Sequence, residues 1–233
     1  AGDYPLTVDV SPNGLPEPPP DPWTLLVACR RADEPMMIVD LDKTLVASGF
    51  DEVLLGDAEP MPESPRVMDR LAERYATVYL THRPGDLGPK SKGWLREQGF
   101  PQGPLLMSDF RGLLAGSGRF KSGRLKDLTE RFSRIELGIG DKVSDVKAYA
   151  DNGIEGILII HPDEYEDPAE LADLADEIES LGDRIHVVTA WTQIERIVFN
   201  GADHPPADMA RRLRRMAKTR PARTRPSEEG KGD

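Results

Sequence analysis

Two aspartates, Asp40 and Asp42, stand at the end of an apolar run that begins at Met36. Side chains two positions apart on an extended chain point the same way, so both carboxylates can meet at the carboxyl end of a strand. Two neighbouring carboxylates repel each other unless a cation joins them, and Mg²⁺ suits an all-oxygen site. The pair fits phosphoryl chemistry, because one carboxylate can attack phosphorus while the other handles the leaving group's proton. The structural alternative is an aspartate-rich turn after an ordinary strand.

A second apolar run, over residues 76–80, ends in Thr81, His82 and Arg83. A hydroxyl and free backbone amides at a strand end can hold phosphate oxygens, and Arg83 could clamp a second anionic group. His82 is expected to be a substrate-side or packing residue rather than a base. An ordinary strand end before a Pro-Gly turn is the alternative.

A lysine and two further acids complete the set of candidates. Lys121 and Lys126 both lie in a predicted helix, where an ammonium near phosphorus would stabilise the charge of the transition state. Asp141 and Asp145 follow an apolar run and a glycine turn, and residues four apart share one face of a helix. Both acids can therefore point at a metal, although acids are also favoured in a first helical turn by the helix dipole.

In this order, the four groups resemble the four motifs of the haloacid-dehalogenase-like (HAD) phosphatase superfamily, over about residues 36–160. Within it, four strings are similar to lipin-type and related bacterial phosphatidate phosphatases: residues 79–84, 93–95, 103–108 and 144–149, with Phe120-Lys121 between the last two. The match at Phe120-Lys121 favours Lys121 over Lys126 as the lysine that neutralises the phosphoryl group. The chain departs from these families at Lys43, where they usually carry a small or acidic residue, and at Asp141, where lipins tend to carry Asn.

The resemblance implies a Mg²⁺-dependent phosphatase that works through an aspartyl-phosphate intermediate. Asp40 would attack phosphorus, and Asp42 would protonate the departing alkoxide and then activate water. The implied catalytic residues are Asp40, Asp42, Thr81 and Lys121, the substrate-binding residues Thr44, His82 and Arg83, and the metal ligands Asp40, Asp42 (through its carbonyl), Asp141 and Asp145.

The elements that must position these residues alternate between strands and helices from Pro35 onward. This alternation predicts an α/β fold with a doubly wound parallel sheet and a site at the carboxyl ends of its strands. Ser64 and Asp167 are predicted N-caps, because each precedes a proline at the start of a helical pattern. The segments between motifs are too short for a cap domain, so the fold is expected to be HAD-like and capless.

An open site favours a bulky substrate by family analogy, and phosphatidate or a similar lipid phosphate is the leading candidate. The first alternative is a soluble or macromolecular phosphomonoester such as a nucleotide, sugar or protein phosphate. The second is a non-catalytic module that senses lipid phosphates, like the lipin-type domains of phosphatidylinositol transfer proteins, which have lost catalytic acids. The presence of both Asp40 and Asp42 argues against that alternative.

The 233 residues are expected to form a Pro-rich lead-in (residues 1–30), a phosphatase domain (31–200) and a basic, disordered tail (201–233). The chain carries a net charge of −11, whereas eight Lys and Arg residues lie between Arg211 and Arg225. An acidic body repels nucleic acid, so no nucleic-acid partner is expected. The tail could contact an anionic membrane through a weak amphipathic helix over residues 207–218, and a solvated tail is the alternative.

The single cysteine, Cys29, excludes an internal disulfide and a cysteine-based zinc site. No apolar run approaches the roughly 20 residues of a membrane span. We expect a cytoplasmic protein with peripheral membrane contact, and the start at Ala1 rather than Met leaves a removed signal peptide open.

Overall fold

A computed structural model of the protein describes residues 1–8, 23–47, 58–109, 112 and 116–220. The strands are β1 Gly2–Val8, β2 Trp23–Cys29, β3 Met36–Val39, β4 Ala76–Pro84, β5 Leu105–Ser108, β6 Ile135–Gly140, β7 Glu155–Ile159 and β8 Ile185–Val188. The α-helices are α1 Ser64–Ala72, α2 Gly88–Glu97, α3 Ser117–Thr129, α4 Val143–Asp151, α5 Pro168–Glu179, α6 Trp191–Asn200 and α7 Pro206–Thr219. Short 3₁₀ turns cover Gly85–Leu87 and Pro162–Glu164.

Six parallel strands form the central sheet in the order β5-β4-β3-β6-β7-β8. Strand β3 lies between β4 and β6, and all four of its residues are buried. Met36 and Ile38 pack into one hydrophobic cluster and Met37 and Val39 into the other, as expected for a strand covered on both faces. The predicted doubly wound α/β fold is confirmed.

The helices cover the sheet in two layers. Phe120 of α3, Tyr149 of α4 and Leu171 of α5 belong to the cluster on one face, together with residues of α7. Val67 of α1 and Trp191 of α6 belong to the cluster on the other face, together with residues of α2. Each helix therefore buries an apolar stripe against the sheet and leaves a polar side to solvent.

Helix α7 corrects the predicted boundary of the tail. Met209 and Leu213 are buried against the core, and Arg214 pairs with Asp176 and Glu179 of α5. The predictions of a tail from residue 201 and of disorder there are wrong for residues 206–219. The amphipathic helix expected over residues 207–218 is present, but its apolar stripe packs on the protein rather than on a membrane. The part of the predicted tail beyond residue 220 lies outside the described residues.

The N-terminal segment also contains more structure than an extended lead-in. Strands β1 and β2 form a separate antiparallel pair in which Tyr4 faces Val27 and Leu6 faces Leu25. These four side chains are exposed on one face of the pair. The Pro-rich residues 16–22 lie outside the described part of the chain.

One of the two predicted helix caps is wrong. Asp167 accepts a hydrogen bond from the backbone N–H of Ala169 at 2.9 Å, as an N-cap does. Ser64 is instead the first residue of α1, and the N-cap position belongs to Glu63, whose φ is 67°. The hydroxyl of Ser64 is buried without a partner among the described residues.

No cap domain is present among the described residues. Between Thr44 and Thr81 they contain α1, and between Thr81 and Lys121 they contain a 3₁₀ turn, α2 and β5. Residues 110, 111 and 113–115, between β5 and α3, lie outside the described residues. None of the described helices combines the length and apolar character needed to cross a membrane.

Candidate active site

The predicted site residues gather at the carboxyl ends of three adjacent strands. Asp40 follows β3, Thr81 lies in the second half of β4, and Asp141 follows β6. Lys121 enters from the second turn of α3, and Asp145 from the first turn of α4. In a doubly wound parallel sheet this edge is where ligands bind.

Lys121 joins two of the acids. Its ammonium donates hydrogen bonds to Oδ2 of Asp40 at 2.7 Å and to Oδ2 of Asp145 at 2.5 Å. The other oxygen of Asp40, Oδ1, accepts from the backbone N–H of Leu41 at 2.8 Å. Burial would lower the pKa of Lys121, but the charges of Asp40 and Asp145 outweigh burial and raise it above its usual value. Lys126, the other candidate lysine, lies exposed on α3.

Asp40, Asp141 and Asp145 form a cluster in which one oxygen of each lies within 4.8 Å of the others. Burial raises the pKa of Asp141 to about 7, and the charge of Asp40 adds to the effect. Burial also raises the pKa of Asp145, although Lys121 opposes this. Oδ1 of Asp141 and Oδ1 of Asp145 are buried with no hydrogen-bond partner in the described part of the chain. Unpartnered carboxylate oxygens at this spacing fit a hard divalent cation such as Mg²⁺.

Two glycines in β6 allow α4 to bring its acid this close. A Cβ at Gly140 would lie 3.0 Å from Oδ2 of Asp145, and a Cβ at Gly138 would lie 2.4 Å from the ring of Tyr149. Any side chain at Gly138 would therefore push α4 away from the sheet and Asp145 away from the cluster.

Asp42 has a different cationic partner. Arg83 donates from Nε to both oxygens of Asp42 at 3.0 Å and from Nη2 to Oδ1 at 2.5 Å. Its Nη1 donates to Oγ of Ser91 at 3.2 Å. The prediction that Arg83 clamps an anionic group of the substrate is corrected, because the side chain is buried and all three guanidinium nitrogens have protein partners.

Thr81 lies beside the same pair. Its hydroxyl oxygen is 3.5 Å from Oδ2 of Asp42 and accepts the backbone N–H of Arg83 at 3.3 Å. The side chain is fully buried. The structure thus brings Thr81 and Asp42 together, and the assignment of Thr81 to the phosphoryl group stays a prediction.

Thr44 and His82 are the two remaining residues predicted to bind substrate. The hydroxyl of Thr44 is buried without a partner among the described residues, and its carbonyl accepts from Nε1 of Trp191 at 2.9 Å. His82 is half-buried, with Nε2 3.1 Å from the carbonyl oxygen of Gly112 and its ring 5.8 Å from that of Phe120. Their assignment to substrate binding stays a prediction.

Sequence reasoning missed the residues that fix the loop after β3. Lys43 has a φ of 53° and forms an ion pair with Glu164. The carbonyl of Lys43 lies 2.7 Å from Nε2 of His161. These partners stand far away along the chain, so only the sheet order, which places β7 beside β6, could have indicated them.

A family model described as "PITM 1-3, LNS2 domain" matches residues 37–160, just over half of the chain. The chain belongs to the LNS2 domain family. This family is lipin-like and HAD-related, so the recognition made from the motifs is confirmed. No curated protein sequence matches the chain.

The LNS2 chain is similar to solved structures. D,D-heptose 1,7-bisphosphate phosphatase from B. bronchiseptica, complexed with magnesium and phosphate, is similar with a TM-score of 0.54 and 16% identity. The likeness covers 72% of this chain and 99% of that one. The crystal structure of a protein from Mesorhizobium loti, described as a HAD-like phosphatase, is similar with a TM-score of 0.48 and 14% identity. This likeness covers 82% of this chain and 91% of that one. The first likeness shows the HAD-like fold.

Proposed function

We propose that this LNS2 protein is a Mg²⁺-dependent phosphomonoester hydrolase that works through an aspartyl-phosphate. The observation that carries the proposal is the contact of Lys121 with both Asp40 and Asp145, at the strand ends where Asp141 also lies. A buried cation between the proposed nucleophile and a metal-ligand acid is suited to phosphoryl transfer, where positioning and charge neutralisation dominate catalysis.

In the first half-reaction, a carboxylate oxygen of Asp40 attacks phosphorus and the bond from phosphorus to the ester oxygen breaks. The proton of the Asp42 carboxyl group goes to that oxygen, which leaves as an alcohol. Lys121 neutralises the phosphoryl oxygens while Leu41 N–H orients Asp40. Mg²⁺ held by Asp40, Asp141, Asp145 and the Asp42 carbonyl would supply the positive charge that lets a phosphate approach these acids.

In the second half-reaction, water attacks the phosphorus of the aspartyl-phosphate. Asp42, now a carboxylate, takes a proton from this water, and the bond from phosphorus to Asp40 breaks. Inorganic phosphate leaves, and Asp40 and Asp42 return to their starting forms.

Phosphatidate or a similar lipid phosphate is the proposed substrate. The lipin-like family supports this choice, as does the lack of a cap domain among the described residues. A soluble or macromolecular phosphomonoester is the alternative within the same chemistry.

A second candidate is a module that binds a lipid phosphate without hydrolysing it, which the match to an LNS2 domain favours. The intact set of Asp40, Asp42 and Lys121 favours catalysis instead. Binding of phosphatidate vesicles by a wild-type protein that releases no phosphate would select the module.

The experiment is a phosphate-release screen over lipid and soluble phosphomonoesters, with Mg²⁺ and with EDTA. Asp40→Asn serves as the inactive variant and Asp69→Asn, an exposed acid on α1, as its matched control. The proposal expects Mg²⁺-dependent release by the wild type and the control and none by Asp40→Asn. Full activity in metal-free buffer would overturn the mechanism, and the preferred substrate decides between lipid and soluble esters.

We further propose that α7 contacts an anionic membrane and that the protein is cytoplasmic and peripheral. Arg212, Arg215 and Lys218 are exposed on this helix. Arg220, just after the helix, lies 3.5 Å from the carbonyl of Pro162, which follows the carboxyl end of β7. The basic helix therefore ends on the side of the sheet that carries the site. Each basic residue near an anionic surface contributes about 1 kcal/mol.

Neutralising Arg212, Arg215 and Lys218 to Gln tests this contact without removing the packed stripe of α7. We expect weaker sedimentation with anionic vesicles and slower phosphatidate hydrolysis, both mimicked by salt, with hydrolysis of a soluble ester unchanged. Equal vesicle binding by the triple variant and wild type would leave α7 without a membrane role.

A further inference from the structure

We propose that Arg83 is a positioning residue that holds the Asp42 carboxylate as the proton acceptor for the second half-reaction, and that Ser91 holds Arg83. The inference rests on the proposed hydrolase function and assigns a role within the same site.

The first support is the geometry of the pair. Nε of Arg83 lies 3.0 Å from each oxygen of Asp42, and Nη2 lies 2.5 Å from Oδ1. The guanidinium donates to both oxygens and therefore fixes the plane of the Asp42 carboxyl group. A fixed carboxyl group can meet the attacking water in one defined orientation.

The second support is the difference in exposure across the pair. The Arg83 side chain is 1% exposed, whereas that of Asp42 is 28% exposed. A substrate or an attacking water can reach Asp42, but Arg83 is shielded behind it. Arg83 therefore acts through Asp42.

The third support is that Arg83 is fixed at both ends. Its backbone N–H donates to Thr81 Oγ1 at 3.3 Å, and its Nη1 donates to Oγ of the fully buried Ser91 at 3.2 Å. The planar guanidinium can span Asp42 and Ser91 together, and a lysine ammonium cannot reproduce that fork.

The two aspartates of the first motif thus have separate cations. Lys121 forms ion pairs with Asp40 and Asp145, whereas Arg83 forms an ion pair with Asp42. Separate partners keep the nucleophile and the proton acceptor in different orientations, as their roles require.

The test follows p-nitrophenyl phosphate turnover by the full chain with Mg²⁺, using pre-steady-state and steady-state kinetics. Arg83→Gln is expected to lower kcat about a hundredfold, within the usual range for a general base, while kcat/KM changes by less than about fivefold. The reason is that p-nitrophenolate leaves without a proton, so only hydrolysis of the aspartyl-phosphate slows. A burst of about one p-nitrophenolate per enzyme should precede the slow phase.

Three further variants sharpen the test. Ser91→Ala should lower kcat less than Arg83→Gln does, again with little change in kcat/KM. The kcat of Arg83→Lys should lie between those of Arg83→Gln and wild type, and this variant keeps the buried positive charge that folding requires. Arg96→Gln, an exposed arginine on α2, is the matched control and should behave as wild type. The double variant Arg83→Gln/Asp42→Asn should have the same kcat as Asp42→Asn alone, because Arg83 acts only through the carboxylate that Asp42→Asn removes.

Equal losses of kcat and kcat/KM without a burst, or additive losses in the double variant, would overturn the role of Arg83 and leave the hydrolase standing. A wild type that does not turn over any phosphomonoester with Mg²⁺ would overturn the proposed function and this inference together. Circular dichroism checks the fold of each variant. If Arg83→Gln does not fold, the kcat, kcat/KM and burst of Arg83→Lys test the proposal instead.

Discussion

Replacing Asp141 by Asn is expected to stabilise the metal-free protein and to remove its stabilisation by Mg²⁺. The amide keeps the shape of the side chain but cannot ionise. In the folded protein, burial and the charge of Asp40 raise the pKa of Asp141 to about 7, so ionising this carboxyl group opposes folding. The cluster that suits a metal is therefore a source of instability when no metal is bound.

The magnitude follows from the two pKa values of Asp141. The pKa of Asp141 is 3.8 in the unfolded chain and about 7 in the folded protein. At ~1.36 kcal/mol per pKa unit, the difference destabilises the folded protein with an ionised Asp141 by about 4 kcal/mol. Below pH 3.8 the group is protonated in both states and costs nothing. The penalty grows as pH rises from there and is complete above about pH 7. At pH 8 the variant should thus gain at most about 4 kcal/mol, or roughly 8 to 16 °C in Tm.

Thermal unfolding followed by circular dichroism, in EDTA and in excess Mg²⁺, measures both effects at pH 8 and pH 5. The gain of Asp141→Asn should shrink to less than about 2 kcal/mol at pH 5. Wild type should gain about 2.7 kcal/mol when Mg²⁺ is a hundredfold above its Kd, and the variant much less. Asp69→Asn should show neither effect. A metal-free Asp141→Asn less stable than wild type at pH 8, or an equal response of both to Mg²⁺, would refute the reasoning.

Three more outcomes are expected at the site and beneath it. Asp40→Asn should abolish turnover with an unchanged circular dichroism spectrum, because the amide is no nucleophile. Lys121→Met should lower kcat/KM far more than Lys126→Met, since Lys121 contacts two carboxylates of the site and Lys126 is exposed. Gly138→Ala should lower the free energy of unfolding in urea by about 1 to 3 kcal/mol, because its Cβ would lie 2.4 Å from the ring of Tyr149.

Each of these outcomes can fail in a recognisable way. Activity of Asp40→Asn within tenfold of wild type would show that Asp40 is not the nucleophile. A larger loss at Lys126 than at Lys121 would reverse the choice of lysine. Unchanged stability of Gly138→Ala would mean that Tyr149 and α4 can move without cost.

The strand ends carried enough information in the sequence to predict the sheet and the gathering of acids. Asp40 and Asp141 each follow a buried apolar run, and in a parallel sheet such ends must meet along one edge. The prediction that Asp141 and Asp145 share one face of a helix is wrong for Asp141, because α4 begins at Val143 and Asp141 lies before it. The two acids still meet, because the end of β6 and the first turn of α4 lie side by side. What these residues do in catalysis remains a prediction.

The partner of Arg83 could not be predicted from its position. A cation two residues after Thr81 has the same sequence signature whether it faces a substrate or Asp42. The choice depends on how β4 continues to Pro84 and on Ser91, which comes from the next helix and carries no motif.

The packing of α7 was hidden by its composition. Basic residues dominate this segment, so its few apolar positions suggested a membrane surface. Only the neighbouring α5 shows their role, because Asp176 and Glu179 bind Arg214 and so align α7 over the core. The sequence of a helix predicts an apolar stripe but does not predict which element packs against that stripe.

The burial of Met209 and Leu213 also sets an order of events during synthesis. Every proposed site residue, from Asp40 to Asp145, leaves the ribosome before α7 does, yet the hydrophobic layer beside α5 and β8 stays open until α7 arrives. Domains fold as units during translation, so we expect the nascent chain to hold its acids in place only after about residue 213 has emerged. A chain stalled short of that point would carry the whole set of motifs and still lack the body that brings them together.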